Sequence, residues 1–411
     1  MTYSGRCVVV AVFIVLLIGV GVGIAIGYFV IPDKKDKGSS ASTPATIVTN
    51  ARSENIQSYR DQCEANVRLA ETCRPALPRY YVTHRKSGNI TIDGRLDDPA
   101  WQSVPWTENF VDIRGVNFPA PREATHVKVI WDDTTIYVGA RMQEEHVWAT
   151  YRQKDTRIYQ ENAFEVFFDV DNSMSWYKEI EINALETTWD LQLSRAYIDG
   201  GDWMDWEGIA EKGVFTDGGV NNISNPSTYW SMEMAFPISR LVENTTRSNT
   251  SPKDGEYWFA IFARPEYQTR ENTTTGQYEV VPGSETSWWS WNPTGATNLH
   301  LPNRWGLLYF SSKPAGSADF SDREVTFRNW SMYQGLFQLF EDVWTFKKLN
   351  NMFPDDQRLY KVPPFISDCF ASYTVNVTED GNGFTATLTA LDNPLFKGSI
   401  DQNRKVTFTG A

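Results

Sequence analysis

Positive charge is what this chain has little of: 38 Lys and Arg stand against 51 Asp and Glu, a net charge of −13. That balance excludes a nucleic-acid or anionic-surface partner, because both require a basic face. Histidine and cysteine are equally scarce, four of each in 411 residues. His84, His126, His146 and His300 are scattered, with no pattern suited to haem or zinc. There is no Ser/His/Asp signature and no glycine-rich phosphate loop. No motif therefore requires a cofactor, and catalysis has little to stand on. Aromatics, by contrast, are abundant at 16 Trp, 18 Tyr and 23 Phe. Many of these rings are expected in the core, since buried Trp and Phe contribute the largest apolar areas.

Residues 7–31 carry no charge and end at Pro32 and a cluster of Lys34, Lys35 and Lys37. A spanning helix needs about 20 apolar residues. The run is longer than the core of a cleaved signal, and no small-residue cleavage site follows it. Residues 1–32 are thus expected to be a short tail and a retained transmembrane helix, with a cleaved signal as the alternative. Gly19/Gly23 and Gly23/Gly27 have the small-xxx-small spacing that lets such helices pair, one route to a homodimer. Counting Lys and Arg around the span would leave the large C-terminal part in the cytoplasm. Against this stand seven glycosylation sequons, at Asn89, Asn222, Asn244, Asn249, Asn272, Asn329 and Asn376. These matter only in an extracellular or lumenal chain, and that placement is expected here because the kind of domain that the later blocks resemble is usually exported. Cys7 at the membrane edge is either a palmitoylation site or a plain thiol.

Residues 33–79 read as a solvated stalk with a short helix over 53–73, broken by Pro75 and Pro78. On a continuous helix Cys63 and Cys73 lie about 15 Å apart, too far for a disulfide. One of them, Cys73 in the preferred pairing, is expected to reach Cys369, leaving an odd thiol for an intermolecular bridge. Over 80–312 the pattern is strands. Val127 and Val129 alternate with His126 and Lys128, then a turn at 132–135 leads into Ile136, Val138 and Ala140. Ile180 and Ile182 alternate with Glu179, Glu181 and Asn183, and Trp230, Met232, Met234 and Phe236 with Ser231 and Glu233. Period two without interposed long helices predicts a mainly β, antiparallel two-sheet sandwich of jelly-roll type. The polar stretches 217–228, 243–256 and 268–286 are expected to be its loops. Residues 313–411 form a small α+β annex: Met332, Leu336, Leu339, Phe340, Val343, Trp344 and Phe346 recur at helical spacing. Strands follow at 369–377, 384–390 and 404–409.

Several blocks within 90–310 carry a resemblance in their order and spacing: IDGRLDDPAW, VIWDDTTIYVGARM, FEVFFDVDN, EIEIN and WSWNPTG…LPNRWG. Together they resemble the family 9 carbohydrate-binding modules. The resemblance implies a two-sheet sandwich with an aromatic clamp on a sugar and a few polar groups bonding its hydroxyls. It places the first clamp aromatic at Tyr159, in RIYQENAFEVFF, and the sugar-bonding carboxylate at Glu165. The second aromatic should fall between WSWNPTG and NRWG, where this chain has Leu299 and His300. An arginine implied in the EIEIN strand corresponds to Glu181. The glucan or xylan specificity of the known modules is therefore not implied here.

The residues support a sugar site independently. A pyranose offers a flat C–H face and a rim of hydroxyls, so its recognition needs an exposed ring with acceptors and donors beside it. Tyr159, Trp291 and His300 with Glu165, Asn183, Arg152 and Arg264 make up that candidate set. The competing reading is that Trp131, Trp189, Trp230, Trp258, Trp291 and Trp305 only pack the core. A membrane-tethered, non-catalytic carbohydrate-binding protein is the first expectation. An adhesion ectodomain meeting protein partners is the second. A membrane-bound glycosidase or glycosyltransferase is the third, although Glu165 and its companions Glu179 and Glu181 fall on alternating strand faces by count. Asp169 and Asp171 in DVDNS fit an Asp-x-Asp metal formula, a structural calcium site, or an ordinary turn.

Overall fold

Alternating apolar residues build the strands, and the computed structural model shows how they stack. It describes residues 73–248, 250–318, 325–327, 329–354 and 362–410. The chain divides into two units, residues 1–74 and 75–411, and every strand among the described residues belongs to the second. Its first strands are β1 (Tyr80–Arg85), β2 (Val111–Asp112), β3 (Thr125–Trp131), β4 (Thr135–Gln143) and β5 (Phe164–Asp169). Then come β6 (Tyr177–Ile182), β7 (Thr188–Leu193), β8 (Trp203–Asp205), β9 (Glu211–Thr216), β10 (Tyr229–Pro237) and β11 (Tyr257–Glu266). A small hairpin of β12 (Thr269–Asn272) and β13 (Gln277–Val280) precedes β14 (Ser287–Ser290) and β15 (Gly306–Pro314).

Hydrogen bonds run in the order β8-β7-β6-β5-β11-β15-β1-β3-β4-β10-β9. β1 is the link. Tyr80–Arg85 pair with β15 across an irregularity at His84/Arg85, and at this end His84 and Arg85 also pair with Ile130 and Trp131 of β3. A strand that passes between layers at a bend is the usual way to make a sandwich corner. One layer is therefore β8-β7-β6-β5-β11-β15 and the other β3-β4-β10-β9, with an apolar core between them. Val166, Phe168, Ile180, Ile182, Trp258 and Phe262 come from the first layer, and Val127, Val138, Met232 and Phe236 from the second.

The expected fold class needs two corrections. β1 runs parallel to both of its neighbours, so the sandwich is not wholly antiparallel. In addition, no helix among the described residues is long and apolar enough to cross a membrane, so the described architecture is the sandwich and annex without the expected spanning helix. The segment 1–32 to which that helix was assigned, and the stalk helix over 53–73, lie outside the described residues. The expected loop 268–286 also contains the β12–β13 hairpin.

The IDGRLDDPAW block has a structural purpose. Gly94 turns with a positive φ of 83°, and a Cβ there would sit 2.5 Å from the Phe215 backbone nitrogen. Glu233 on β10 accepts bonds from the Asp93 and Gly94 amides and from the Trp101 indole, so the block is sewn to the second layer. In the annex, a helix spans Trp330–Asn350 and a four-stranded sheet follows: β16 (Phe370–Val377), β17 (Phe384–Ala390), β18 (Lys397–Asp401) and β19 (Val406–Thr409). Leu336, Leu339, Phe340 and Val343 are buried on the helix, as their spacing predicts. Trp330, Tyr333 and Phe337 also stack against Phe259 of β11. The annex thereby covers part of the first layer's outer face.

Candidate functional site

The rest of that outer face is open. In β5 and β6, Phe164, Val166, Phe168, Ile180 and Ile182 point into the core, so Glu165, Glu179 and Glu181 point outward. Register joins them: Glu165 is directly opposite Glu181, and Glu181 is opposite Trp189 of β7. The three carboxyls share one face, correcting the expectation that they alternate. Together with Tyr159 they line a cleft of about 460 Å³. Its walls are Trp189, Tyr197, Trp203 and Trp288, with Arg157, Asn298, Leu299 and His300 among the other residues lining it.

The glutamates are buried, with 1%, 5% and 0% of their surface exposed for Glu165, Glu179 and Glu181. Desolvation pushes all three carboxyls up. Repulsion from Glu179 adds to the effect at Glu165, and repulsion from Glu165 and Glu179 adds to it at Glu181. Glu179 reaches about 8 through burial, partly offset by a hydrogen bond with Glu181. Glu181 Oε2 accepts the Tyr159 amide at 2.8 Å, which fixes the start of the aromatic wall. The Tyr159 ring then lies 6.1 Å from Trp189 in a stacked arrangement, and Trp189 meets Trp203 edge-on. On the other side His300 contacts Tyr197 at 4.5 Å and accepts or donates at Nδ1 to the Tyr177 hydroxyl, 3.0 Å away. Burial pushes His300 down to about 4, so its ring is neutral at ordinary pH.

Tyr159, Glu165 and His300, expected at the site, do line this cleft; the other four candidates lie elsewhere. Trp291 is fully buried in the core beneath the sheet. Arg264 is fully buried and ion-paired with Glu123, Glu144 and Glu266, so it serves the fold and not the cleft. The Asn183 side chain donates to the Tyr151 carbonyl and to Glu161, pinning a loop. Arg152 is exposed and does not line the cleft. Asp169 and Asp171 serve the turn after β5: Asp169 accepts the Met174 amide, and Asp171 accepts from Ser173 and Thr246. Among the described residues no group of three or more His, Cys, Asp or Glu is disposed to hold a metal ion, so the calcium expectation gains no support. Cys73 and Cys369 are each disulfide-bonded. Asn249 lies outside the described residues; Asn89, Asn244, Asn329 and Asn376 are exposed, while Asn222 and Asn272 are half-buried.

Sequence reasoning missed Tyr197, Trp203 and Trp288 and left Trp189 with the packing tryptophans. The alternation Trp189–Leu191–Leu193 was the available signal for Trp189, but it needs the β6–β7 register to acquire meaning.

A family model described as "Carbohydrate family 9 binding domain-like" matches residues 92–311, more than half of the chain. The chain belongs to that family. Membership makes the sandwich a non-catalytic carbohydrate-binding module, in keeping with the absence of catalytic motifs in the sequence. Among solved structures, a Bacteroides uniformis protein assigned, without demonstration, to carbohydrate binding is 14% identical, with 57% of this chain and 100% of that one covered, at a TM-score of 0.41. A family 9 module from Caldicellulosiruptor kristjanssonii, solved with cellotriose, is 14% identical, with 61% and 100% covered and a TM-score of 0.32. No curated protein matches the chain. In this family 9 domain the cleft occupies the half of the outer sheet face that the annex leaves uncovered.

Proposed function

We propose that this family 9 domain holds a saccharide in the cleft, with the sugar's C–H face against Tyr159 and the Trp189–Trp203 wall and its hydroxyls bonded by Glu165 and Glu181. The observation that carries the reading is the convergence of an accessible ring wall with buried carboxyls in one open cleft. Aromatic area supplies affinity without specificity, and the carboxyls supply direction. Small saccharides gain little per atom, so a single site is expected to bind in the millimolar to micromolar range, about −4 to −8 kcal/mol.

The test is a glycan array with the full chain, repeated with Tyr159→Ala and Glu165→Ala after circular dichroism confirms folding. Binding lost or weakened about tenfold or more in both variants supports the clamp. Signal unchanged by either moves the site elsewhere, and a blank array favours the adhesion reading.

The same reading puts the domain in an oxidising compartment, outside the cytosol. The disulfide-bonded Cys73 and Cys369 support this, since such bonds persist where thiols are not kept reduced. Exposed sequons at Asn89, Asn244, Asn329 and Asn376 agree with it. A mass loss on treatment with an N-glycosidase checks it in the protein purified from its own cells.

A further inference from the structure

We infer that the cleft selects a sugar bearing a protonated primary amine over the neutral sugar of the same shape, with the ammonium seated among Glu165, Glu179 and Glu181. The inference rests on the saccharide-binding reading above and adds the charge of the ligand.

A comparison within the molecule motivates it. The protein contains two groups of buried carboxyls. In the interior, Glu123, Glu144 and Glu266 surround Arg264, whose Nε lies 2.9 Å from Glu266 and whose Nη2 lies 3.4 Å from both Glu123 and Glu144. That group brings its own cation. In the cleft, Glu165, Glu179 and Glu181 are as deeply buried, yet among the described residues none of them is in an ion pair. Burying carboxyls without a counter-charge is costly. Arg264 meets part of that cost within the structural cluster; the three cleft glutamates have no such cation among the described ion pairs.

The hydrogen-bonding capacity points the same way. Of the Glu181 oxygens, Oε2 takes the Tyr159 amide, while Glu181 Oε1 and Glu179 Oε2 have no donor. Burial holds protons on these carboxyls in the cleft, and an ammonium entering among them would displace protons and take their place, so its binding is coupled to proton release. Glu165, opposite Glu181 on the neighbouring strand, lines the cleft with no hydrogen bond to a described residue. A neutral hydroxyl has one proton to offer to this group. An alkylammonium has three, together with the missing positive charge. The walls suit a cation as well, because the faces of Tyr and Trp rings attract one, and Tyr159, Trp189, Tyr197, Trp203 and Trp288 line the same space. The other titratable groups around the cleft do not fill this role. His300 is held neutral by burial, Tyr197 is held protonated by burial and by its acidic neighbours, and Arg157 is exposed and makes no ion pair with the three glutamates.

The experiment is a titration of the full chain at pH 7, followed by intrinsic tryptophan fluorescence and by calorimetry. The probes are glucosamine, galactosamine and mannosamine, each paired with its neutral parent and its N-acetyl derivative. The expected result is that at least one amine binds about tenfold or more tighter than its parent, the size of one added charge-assisted hydrogen bond. In Glu165→Gln and Glu179→Gln, which keep side-chain volume, the amine preference should fall towards unity; in Glu179→Gln, which lies outside the hydroxyl-bonding pair, binding of the neutral sugar should persist. Neutral or N-acetylated sugars binding as well as the amines would overturn the inference and leave the saccharide reading intact. So would an amine preference unchanged in both folded variants. If no probe binds and the glycan array is blank, both readings fall together.

Discussion

Glu233 and Glu165 are both glutamates on strands, both buried, and both flanked by apolar neighbours in sequence. Their surroundings divide them. Glu233 accepts two backbone amides and the Trp101 indole at 2.6–2.9 Å, so its acceptors are used by the fold. Replacing it with alanine strands three donors. The Gly94 amide and the Trp101 indole are buried among them, and each costs about 1–3 kcal/mol if left unmatched, so Glu233→Ala is expected to lower stability by about 2–6 kcal/mol, read as a fall in Tm, with Glu233→Gln milder. Glu165→Gln is expected to leave Tm near that of the parent, because burial already favours the neutral carboxyl and the amide replaces it without stranding a donor. Sequence alone could not separate these two residues. Strand parity gave the face of Glu165 but not what sits on that face, and only the pairing of Glu165 with Glu181 shows three acids meeting. Tyr159 was legible through the motif that follows it, whereas Tyr197 and Trp203 lie on a short connection and a three-residue strand that have no periodic signature.

At the level of elements, legibility followed the strength of the pattern. The Trp330–Asn350 helix was readable to within a residue because its apolar stripe continues for five turns. β18 (Lys397–Asp401) was not readable. Gly398 is there for the close approach of Met332 and Leu336, whose side chains come within 2.8–3.0 Å of where its Cβ would be, and glycine weakens any strand signal. The parallel placement of β1 also escaped, because alternation reports faces and not neighbours. The annex depends on this packing. Leu336 is fully buried between the helix and the sheet, so Leu336→Ala is expected to cost about 2–5 kcal/mol through lost contacts and a residual cavity. Chemical denaturation would measure it. Because Tyr333 and Phe337 on the same helix brace Phe259 of β11, the loss should appear in sandwich unfolding as well as in the annex.

Across the whole molecule, the first layer's outer face is divided between a dry half under the annex and an acidic half left open, and the open half should govern the pH response. Glu179 is held at about 8 in the fold against an ordinary value of 4.5, and Glu144 in the interior is also held at about 8 by burial and by Glu266. Between those values the folded chain binds more protons than the unfolded one. The stability these groups contribute is full below 4.5 and is lost as pH rises through 8. His300 acts in the opposite sense. Held at about 4 against 6.5, its contribution is present above 6.5 and lost as pH falls towards 4. Lys178, pushed down to about 8 by desolvation, alters stability only above that pH. From 6.5 to 8 the carboxyls therefore act largely alone, and Tm is expected to fall across this interval. In Glu179→Gln the fall should be shallower, since one titrating acid is gone. A saturating amino sugar should also flatten it, because an ammonium among the glutamates favours their ionised forms. A Tm that holds level or climbs from pH 6.5 to 8 would mean that these acids are already ionised in the folded chain.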